Sequence, residues 1–437
     1  MGVYNLVSFL GIFVLIGVAW LFSSSKKKMN WPLIGWALAL QMGIAVFLFV
    51  FPAGSRVFLF MNDFVIKILD CASAGSKFIF GRLALPPGAV SQTGESSLGF
   101  ILAFQAFPTI IFFSALMSIL YFFNIMPVII RWFASVFSRL MKISGAESLV
   151  AASNIFVGIE SALTVRPHLK EMTPSELCTV LTAGMATVAS NVLAIYVFSL
   201  KDVFPNIAGH LISASLLSAP AAVMMSKIIL PEKDTPKTLG QNIHPHYEKE
   251  SSFFEAVING ANTGVKVIVG IVALLIAVLG LVALLDLFIG GIGSKINAVF
   301  SLGVDWSLKG ILGYIFYPFT LILGIPPQDA GIISKIIGER LVLTEVTAYQ
   351  DLAAVLGKGL ITESRSAVIA TYALCGFAHV ASMAIFVGGV AALVPAKRQL
   401  IAKVGPRALV AASLACLLTA AVAGVFFTNG SVLLGKF

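Results

Sequence analysis

Residues 146–170 read AESLVAASNIFVGIESALTVRPHLK, and residues 318–349 read PFTLILGIPPQDAGIISKIIGERLVLTEVTAY. Both stretches are apolar, yet each is broken near its middle, by Asn154 to Ser161 in one and by Gly324-Ile325-Pro326-Pro327 in the other. Each also carries carboxylates, Glu160 in the first and Asp329, Glu339 and Glu345 in the second. At membrane depth an unpaired charge costs several kcal/mol. Broken backbone is tolerated there only where it lines a protein-enclosed or water-filled cavity. The two stretches are therefore expected to dip into a bilayer rather than cross it.

The rest of the chain says that there is a bilayer to dip into. Of its 437 residues 58% are hydrophobic and only 11% are charged, against about 25% charged in a soluble domain. Glycine, with 38 residues, is more frequent in membrane helices than in soluble ones. Long uncharged apolar runs exclude a porin-type barrel, whose strands alternate polar and apolar residues. The net charge of +9 is read as the Lys/Arg surplus of cytoplasmic loops, not as a nucleic-acid surface. Cys71, Cys178, Cys375 and Cys416 have no metal-ligand spacing, and three of them sit in apolar segments as small hydrophobes.

Spans are expected at about 3–22, 31–51, 101–123, 177–199, 206–229, 264–288, 366–394 and 408–427. The first is followed, not preceded, by its positive charge at Lys26–Lys28, the reverse of a signal peptide, so it reads as a retained helix. Residues 54–82 and 127–144 mix Arg, Lys and Asp with Phe, Ile and Leu at helical spacing, as interfacial helices do. Residues 231–250 form a polar, Pro-containing surface loop, whose His244 and His246 read as solvated rather than metal-binding. With eight spans, Lys26–Lys28, Arg131–Lys142, Lys227–Lys249 and Lys397–Arg407 all fall on one side. The positive-inside rule then places both termini outside.

By that topology the two broken stretches enter from opposite sides. Each precedes a long helix with a polar middle, Thr187, Ser190 and Asn191 in one and His379 and Ser382 in the other. This is the pattern of an inverted repeat whose half-helix ends meet at the midplane to form a binding site. The expected class is an all-α polytopic membrane protein acting as a secondary transporter.

At Asn154-Ile155-Phe156-Val157-Gly158 the sequence resembles the concentrative nucleoside transporter family. The likeness continues through Val165-Arg166-Pro167, Met172-Thr173-Pro174-Ser175-Glu176-Leu177 and Ile311-Leu312-Gly313-Tyr314. It recurs from Gly338-Glu339-Arg340 to Thr344-Glu345 and Ala348-Tyr349, in Ala373-Leu374-Cys375-Gly376-Phe377-Ala378 and at Gly388-Gly389. The resemblance implies eight spanning helices, two re-entrant hairpins and three interfacial helices, assembled as a homotrimer in the bacterial inner membrane. Each protomer would carry a nucleoside by an elevator-like movement, coupled to Na⁺ or H⁺, with no other cofactor. It divides the chain into scaffold-side helices at 1–125, a first transport repeat at 126–230, a cytoplasmic loop at 231–250, an interfacial and a scaffold helix at 251–317, and a second transport repeat at 318–437.

The resemblance also implies roles for single residues. The family reads G-Q-T/S-E-A-P at the first hairpin tip; this chain reads Gly158-Ile159-Glu160-Ser161-Ala162, so Glu160 matches the motif's Glu and Ser161 partly replaces the missing polar groups. Glu345 matches the glutamate that holds ribose hydroxyls, a task suited to a carboxylate because it accepts from two vicinal hydroxyls at once. Thr344 stands where the family commonly has Asn. Phe377 matches a ring near the nucleoside, His379 replaces an Asn that contacts ribose, and Ser382 matches a serine in the same half-helix. Asn154, Val157 and Thr187 occupy the positions of the Na⁺ site.

Two readings of these residues stay open. Glu160 and Glu345 either serve the site or pair structurally with Arg166 and Arg340. His379 either donates to ribose as a neutral ring, packs as an ordinary core histidine, or acts as a proton-linked switch near physiological pH. The leading function is cation-coupled nucleoside uptake, with Na⁺ favoured over H⁺. Alternatives are a modified nucleoside or another sugar-bearing substrate, and a lipid-linked intramembrane enzyme, for which the sequence offers no acid–base or metal-binding motif.

Overall fold

In hydrocarbon a backbone must satisfy its own N–H and C=O groups, and a helix does so within one segment. In the computed structural model, which describes residues 2–90, 94–247, 249–301 and 303–428, no strand forms among the described residues. Seven helical stretches among them are long and apolar enough to cross a membrane. They are α1 (Val3–Leu21), α2 (Trp31–Phe49), the pair α4 (Leu102–Gln105) and α5 (Phe107–Phe122), the pair α8 (Pro174–Ala186) and α9 (Ser190–Leu200), α10 (Ile207–Ile229), α11 (Phe253–Phe300) and α17 (Arg398–Phe426). The pair α15 (Ser364–Leu374) and α16 (Val380–Leu393) supplies an eighth crossing in two pieces.

The two interfacial stretches are helices with a narrow buried stripe. In α3 (Pro52–Phe80) the buried residues include Phe58, Asn62, Val65, Leu69, Ala72 and Ser76, alternating steps of four and three. In α6 (Ile125–Met141) they include Met126, Ile130, Ala134, Phe137 and Met141. That spacing turns one face to the protein and leaves the other for the surface.

Two six-element units carry the rest. The first runs α6, α7 (Gly145–Ser153), a 3₁₀ turn (Ile159–Val165), α8, α9 and α10. The second runs α12 (Leu308–Ile322), α13 (Pro327–Arg340), α14 (Glu345–Gly357), α15, α16 and α17. Ser24 N–H donates to the Ile229 carbonyl, so α10 ends on the face that carries Lys26–Lys28. Ser175, at the start of α8, donates to Leu230, and Gly145, at the start of α7, donates to Thr238, so both elements begin on that face. Arg365, at the start of α15, instead donates to the Tyr4 carbonyl and to Ser8, on the face where α1 begins. Asp329 in the first turn of α13 accepts from Thr362, Glu363 and Ser366, which puts the second hairpin's base there too. The two hairpins thus enter from opposite faces, as the sequence implies.

Three expectations shift in detail. The glycine–proline break at 324–327 joins α12 to α13; it is not the hairpin tip. Gly324 takes φ +83°, where a Cβ would fall 2.3 Å from Ser8 Oγ, so only glycine fits. The tip is residues 341–344, where the Glu339 carbonyl accepts from Val342 and Leu343 N–H and Thr344 caps α14. A turn closed by backbone and threonine leaves no glycine–proline mark. The stretches 177–199 and 366–394, expected as continuous helices, are each interrupted, at 187–189 and 375–379. Thr187 is extended, and Gly376 takes φ +128°. A Cβ on Gly376 would lie 2.8 Å from the Ala186 carbonyl, so the two interruptions touch in the protein interior.

Against these units, α11 packs on α5 through small residues. A Cβ on Gly260 would meet Ala115 Cα at 2.7 Å, and one on Gly264 would meet Ile111 Cα at 2.6 Å. This G-x-x-x-G spacing lets two membrane helices approach to backbone contact.

On the Lys26–Lys28 face the first unit is held by a buried ion cluster. Lys227 Nζ lies 2.6 Å from Glu147 and 3.3 Å from Glu232. Glu147 also accepts from Thr179, and Ser144 donates to Glu176 across 2.6 Å. Removing one partner of a buried pair costs about 3–5 kcal/mol. Lys227→Met is therefore expected to lower the thermal midpoint in detergent sharply, and the double variant Lys227→Met/Glu147→Gln to recover part of it. A single variant that melts with the parent protein would contradict this role.

Candidate functional site

The two interruptions place two helix N-termini, those of α9 and α16, at the hairpin tips. Both are tied there in the same way. The N–H of Ser190, the first residue of α9, donates to the Phe156 carbonyl of the first tip at 3.0 Å. The N–H of Val380, the first residue of α16, donates to the Leu341 carbonyl of the second tip at 3.1 Å. Helix N-termini bring partial positive charge and free N–H groups to the space between the tips.

That space is a chamber of about 240 Å³. Its polar wall holds Glu160, Asn191, Thr344, Glu345, His379 and Ser382, with Phe377 beside them. Its opposite wall is apolar: Val267, Gly270, Ile271, Leu274 and Leu275 of α11. At Gly158, Glu160 and Asn191 the chamber adjoins a second cavity of about 510 Å³. Tyr121, Arg166, His246, Tyr247 and Lys249 line that wider cavity. The last three belong to the segment that follows α10, on the Lys26–Lys28 face.

Glu345 is the centre of the polar wall. It is 4% exposed and stands in the first turn of α14, where the N-terminal N–H groups favour a carboxylate. Tyr196 of α9 donates to Glu345 Oε1 at 2.7 Å, and His379 Nε2 lies 2.7 Å from Oε2. The glutamate is thus bound by both units. It does not pair with Arg340, which instead donates to the Ala373 carbonyl.

His379 is the N-cap of α16. Its Nδ1 accepts from the Ser382 backbone N–H at 3.2 Å. A nitrogen that accepts carries no proton, so the neutral ring has its hydrogen on Nε2, facing Glu345 and Ser382 Oγ, which is 2.7 Å away. The Ser382 hydroxyl can accept from that ring and still donate its own hydrogen into the chamber.

The first tip is less tightly partnered. Glu160 is half-buried and borders both cavities. Ser161 is buried and lines neither; its carbonyl accepts from Thr164. Asn154, the C-cap of α7, donates its amide to the Val150 carbonyl at 3.0 Å and leaves Oδ1 buried without a partner. Val157 borders the wider cavity. Thr187, the C-cap of α8, donates to the Ala183 carbonyl and keeps its acceptor lone pairs. Gly158 abuts Ala189, which brings the tip against the α8–α9 interruption. The orphaned amide oxygen of Asn154 and the free lone pairs of Thr187 are oxygen acceptors, the donor type that suits a small hard cation.

The fold brings in Tyr196 and Tyr121, which the sequence pattern does not mark, and gives Asn191 of the polar middle a place. Tyr196 is a lone hydroxyl inside an apolar run, and only its position on α9 reveals it. Asn191 Oδ1 is buried without a partner beside both cavities; it had stood out only as part of a polar middle. Tyr121 borders the wider cavity from α5. Of the loop histidines, His244 meets Arg131 at 3.3 Å and His246 borders the wider cavity.

Comparison with known proteins matches nearly the whole chain. Residues 10–83 and 210–424 fit the family models described as the Na⁺ dependent nucleoside transporter N-terminus and C-terminus, and residues 103–203 fit the one described as nucleoside recognition. The nucleoside permease NupC of Helicobacter pylori is 35% identical over 97% of this chain and 98% of its own length. Sodium/nucleoside cotransporter 1 of Rattus norvegicus is 32% identical over 98% of this chain and 65% of its own length. Among solved structures, CNTnw in an inward-facing substrate-bound state superimposes with a TM-score of 0.85 at 32% identity, covering 99% of both chains. An outward-facing state of CNTnw gives 0.86 at 31% identity, over 97% of this chain and 98% of the other. These relatives are nucleoside transporters and not enzymes. The chain is a multi-pass membrane protein that belongs to the Na⁺ dependent nucleoside transporter family.

Proposed function

We propose that this protein takes up nucleosides by symport with Na⁺, using the chamber between the hairpin tips as its substrate site. The observation that carries the reading is Glu345, buried in the chamber wall with Oε1 accepting from Tyr196 and with Oε2 lying 2.7 Å from His379 Nε2 but accepting no hydrogen bond. Each oxygen keeps at least one lone pair, enough to accept from two vicinal hydroxyls. The apolar wall on α11 offers a surface for a base, and Phe377 a ring beside it. Ile159 replaces the amide that would read the base, so the sugar carries most of the recognition, and base-modified nucleosides are accepted alongside common ones.

Sodium is the favoured coupling ion for two reasons. Asn154 Oδ1 lacks a partner and, with the Val157 carbonyl and Thr187 hydroxyl, offers oxygens to a small cation. His379 is poorly placed to carry a proton, because protonation of Nδ1 would point an N–H at the Ser382 N–H and break the cap of α16. In this reading the ion seats at the first tip, at the C-terminal ends of α7 and α8, and completes the chamber for substrate. Alternating access follows from the two units shifting together past the α5–α11 pair, elevator-fashion, in a trimer of the bacterial inner membrane with both termini outside.

Three outcomes test this. Glu345→Gln and Glu160→Gln are each expected to abolish nucleoside uptake while the protein still inserts; near-normal transport by both sinks the site assignment. Uptake into vesicles at fixed pH should need an inward Na⁺ gradient, and Asn154→Ala should lose that dependence along with most of the flux. Uptake driven equally well by a proton gradient without Na⁺ would overturn sodium coupling. His379→Asn keeps a cap and an N–H for Glu345, so its uptake should persist with an unchanged profile between about pH 5 and 8. A flux that collapses or shifts its pH profile in that variant would make the histidine a proton carrier.

A further inference from the structure

The second unit holds a cation of its own where the first has an orphaned oxygen. Arg340 is the last residue of α13 and is 1% exposed. Its guanidinium donates to the Ala373 carbonyl at 2.7 Å, and its Nε has no partner. Among the described residues no carboxylate pairs with it. The neighbouring Glu339 is turned to Lys309 at 2.5 Å, and Glu345 is taken by Tyr196 and His379. A buried charge without a counter-ion is costly. What surrounds this one is the carbonyl end of two helices, α13 and α15, since Ala373 lies two residues before the α15 C-cap Cys375. Helix C-termini carry partial negative charge and unbonded carbonyls.

The inverted repeat gives that place a meaning. Asn154 is the C-cap of α7, the first helix of hairpin one, and Arg340 closes α13, the first helix of hairpin two. Thr187 is the C-cap of α8, and Cys375 is the C-cap of α15. The pair of helix ends that the first unit offers to a mobile cation is, in the second unit, bridged by a guanidinium. The Gly376–Ala186 contact sets the two positions side by side across the touching interruptions.

We infer that Arg340 is a tethered counterpart of the coupling ion. It fills the second unit's cation position permanently, and so limits the carrier to one mobile cation per nucleoside. The inference rests on the cation-coupled reading above. Arg340 is a positioning residue, acting on ion stoichiometry through the helix ends it bridges. Its neutral replacement leaves two adjacent C-termini with no charge between them, a position that a second Na⁺ can take.

The test is the charge-to-nucleoside ratio, from reversal potentials of uptake in proteoliposomes holding the parent protein, Arg340→Lys or Arg340→Gln, together with the Na⁺ dependence of nucleoside binding. The parent and Arg340→Lys should each move one positive charge per uncharged nucleoside. Arg340→Gln should steepen the Na⁺ dependence from a Hill coefficient of about 1 to about 2. A ratio of two charges in the parent protein overturns the inference, as does an Arg340→Gln variant that binds nucleoside with an unchanged slope. If Arg340→Gln does not fold, the parent and Arg340→Lys ratios still decide. Parent uptake indifferent to Na⁺ would instead overturn cation coupling itself.

Discussion

The structure depends on how four interrupted helix ends are satisfied where no water is available. Breaking a helix in hydrocarbon exposes N–H and C=O groups that cost several kcal/mol each if left unpaired. Here the two breaks are pressed together, Gly376 against the Ala186 carbonyl, and each downstream N-terminus donates to a hairpin tip. The tips are thereby fixed, and with them the positions of Glu160 and Glu345. The site is the space that this pairing leaves over, so its polar wall lies on the tips and first turns that flank the breaks.

The charged groups follow the same logic. On one face Lys227, Glu147 and Glu232 lock the base of the first hairpin to α8 and α10. On the other, Asp329 and Arg365 lock the second hairpin to α15, α1 and α17. Each hairpin is thus anchored at its base and tied to a helix N-terminus at its tip. α11, joined to α5 by small residues, presents Val267, Ile271, Leu274 and Leu275 to the chamber. The chamber thus has one polar wall on the anchored hairpins and one apolar wall on α11.

Much of this was legible in the sequence. The carboxylates of 146–170 and 318–349 marked the two segments that could not span, and basic residues sorted to one face gave the count of eight. The interruptions at 187–189 and 375–379 were not legible, because they contain no proline and are enforced by tertiary contacts, Gly376 on Ala186 above all. The true tip at 341–344 was hidden for a similar reason: backbone carbonyls and a threonine cap close it, while the conspicuous Gly324–Pro327 serves a tight corner beneath Ser8. Glu160, Glu345, Phe377, His379 and Ser382, which the family resemblance assigns to one site, all line the chamber, whereas Ser161 lines neither cavity. Tyr196 escaped notice because a single tyrosine in an apolar run looks like core until the opposite unit places a glutamate against it.

In the proposed function Glu345 and a Na⁺-completed chamber hold a nucleoside chiefly by its sugar. Calorimetric titration of the purified protein with a ribonucleoside and with its 2′,3′-dideoxy analogue, each in sodium and in choline chloride, tests it most directly. The account predicts binding of the ribonucleoside in sodium alone, and loss of at least about tenfold in affinity for the dideoxy analogue. Equal affinity for both compounds, or binding indifferent to sodium, would contradict it.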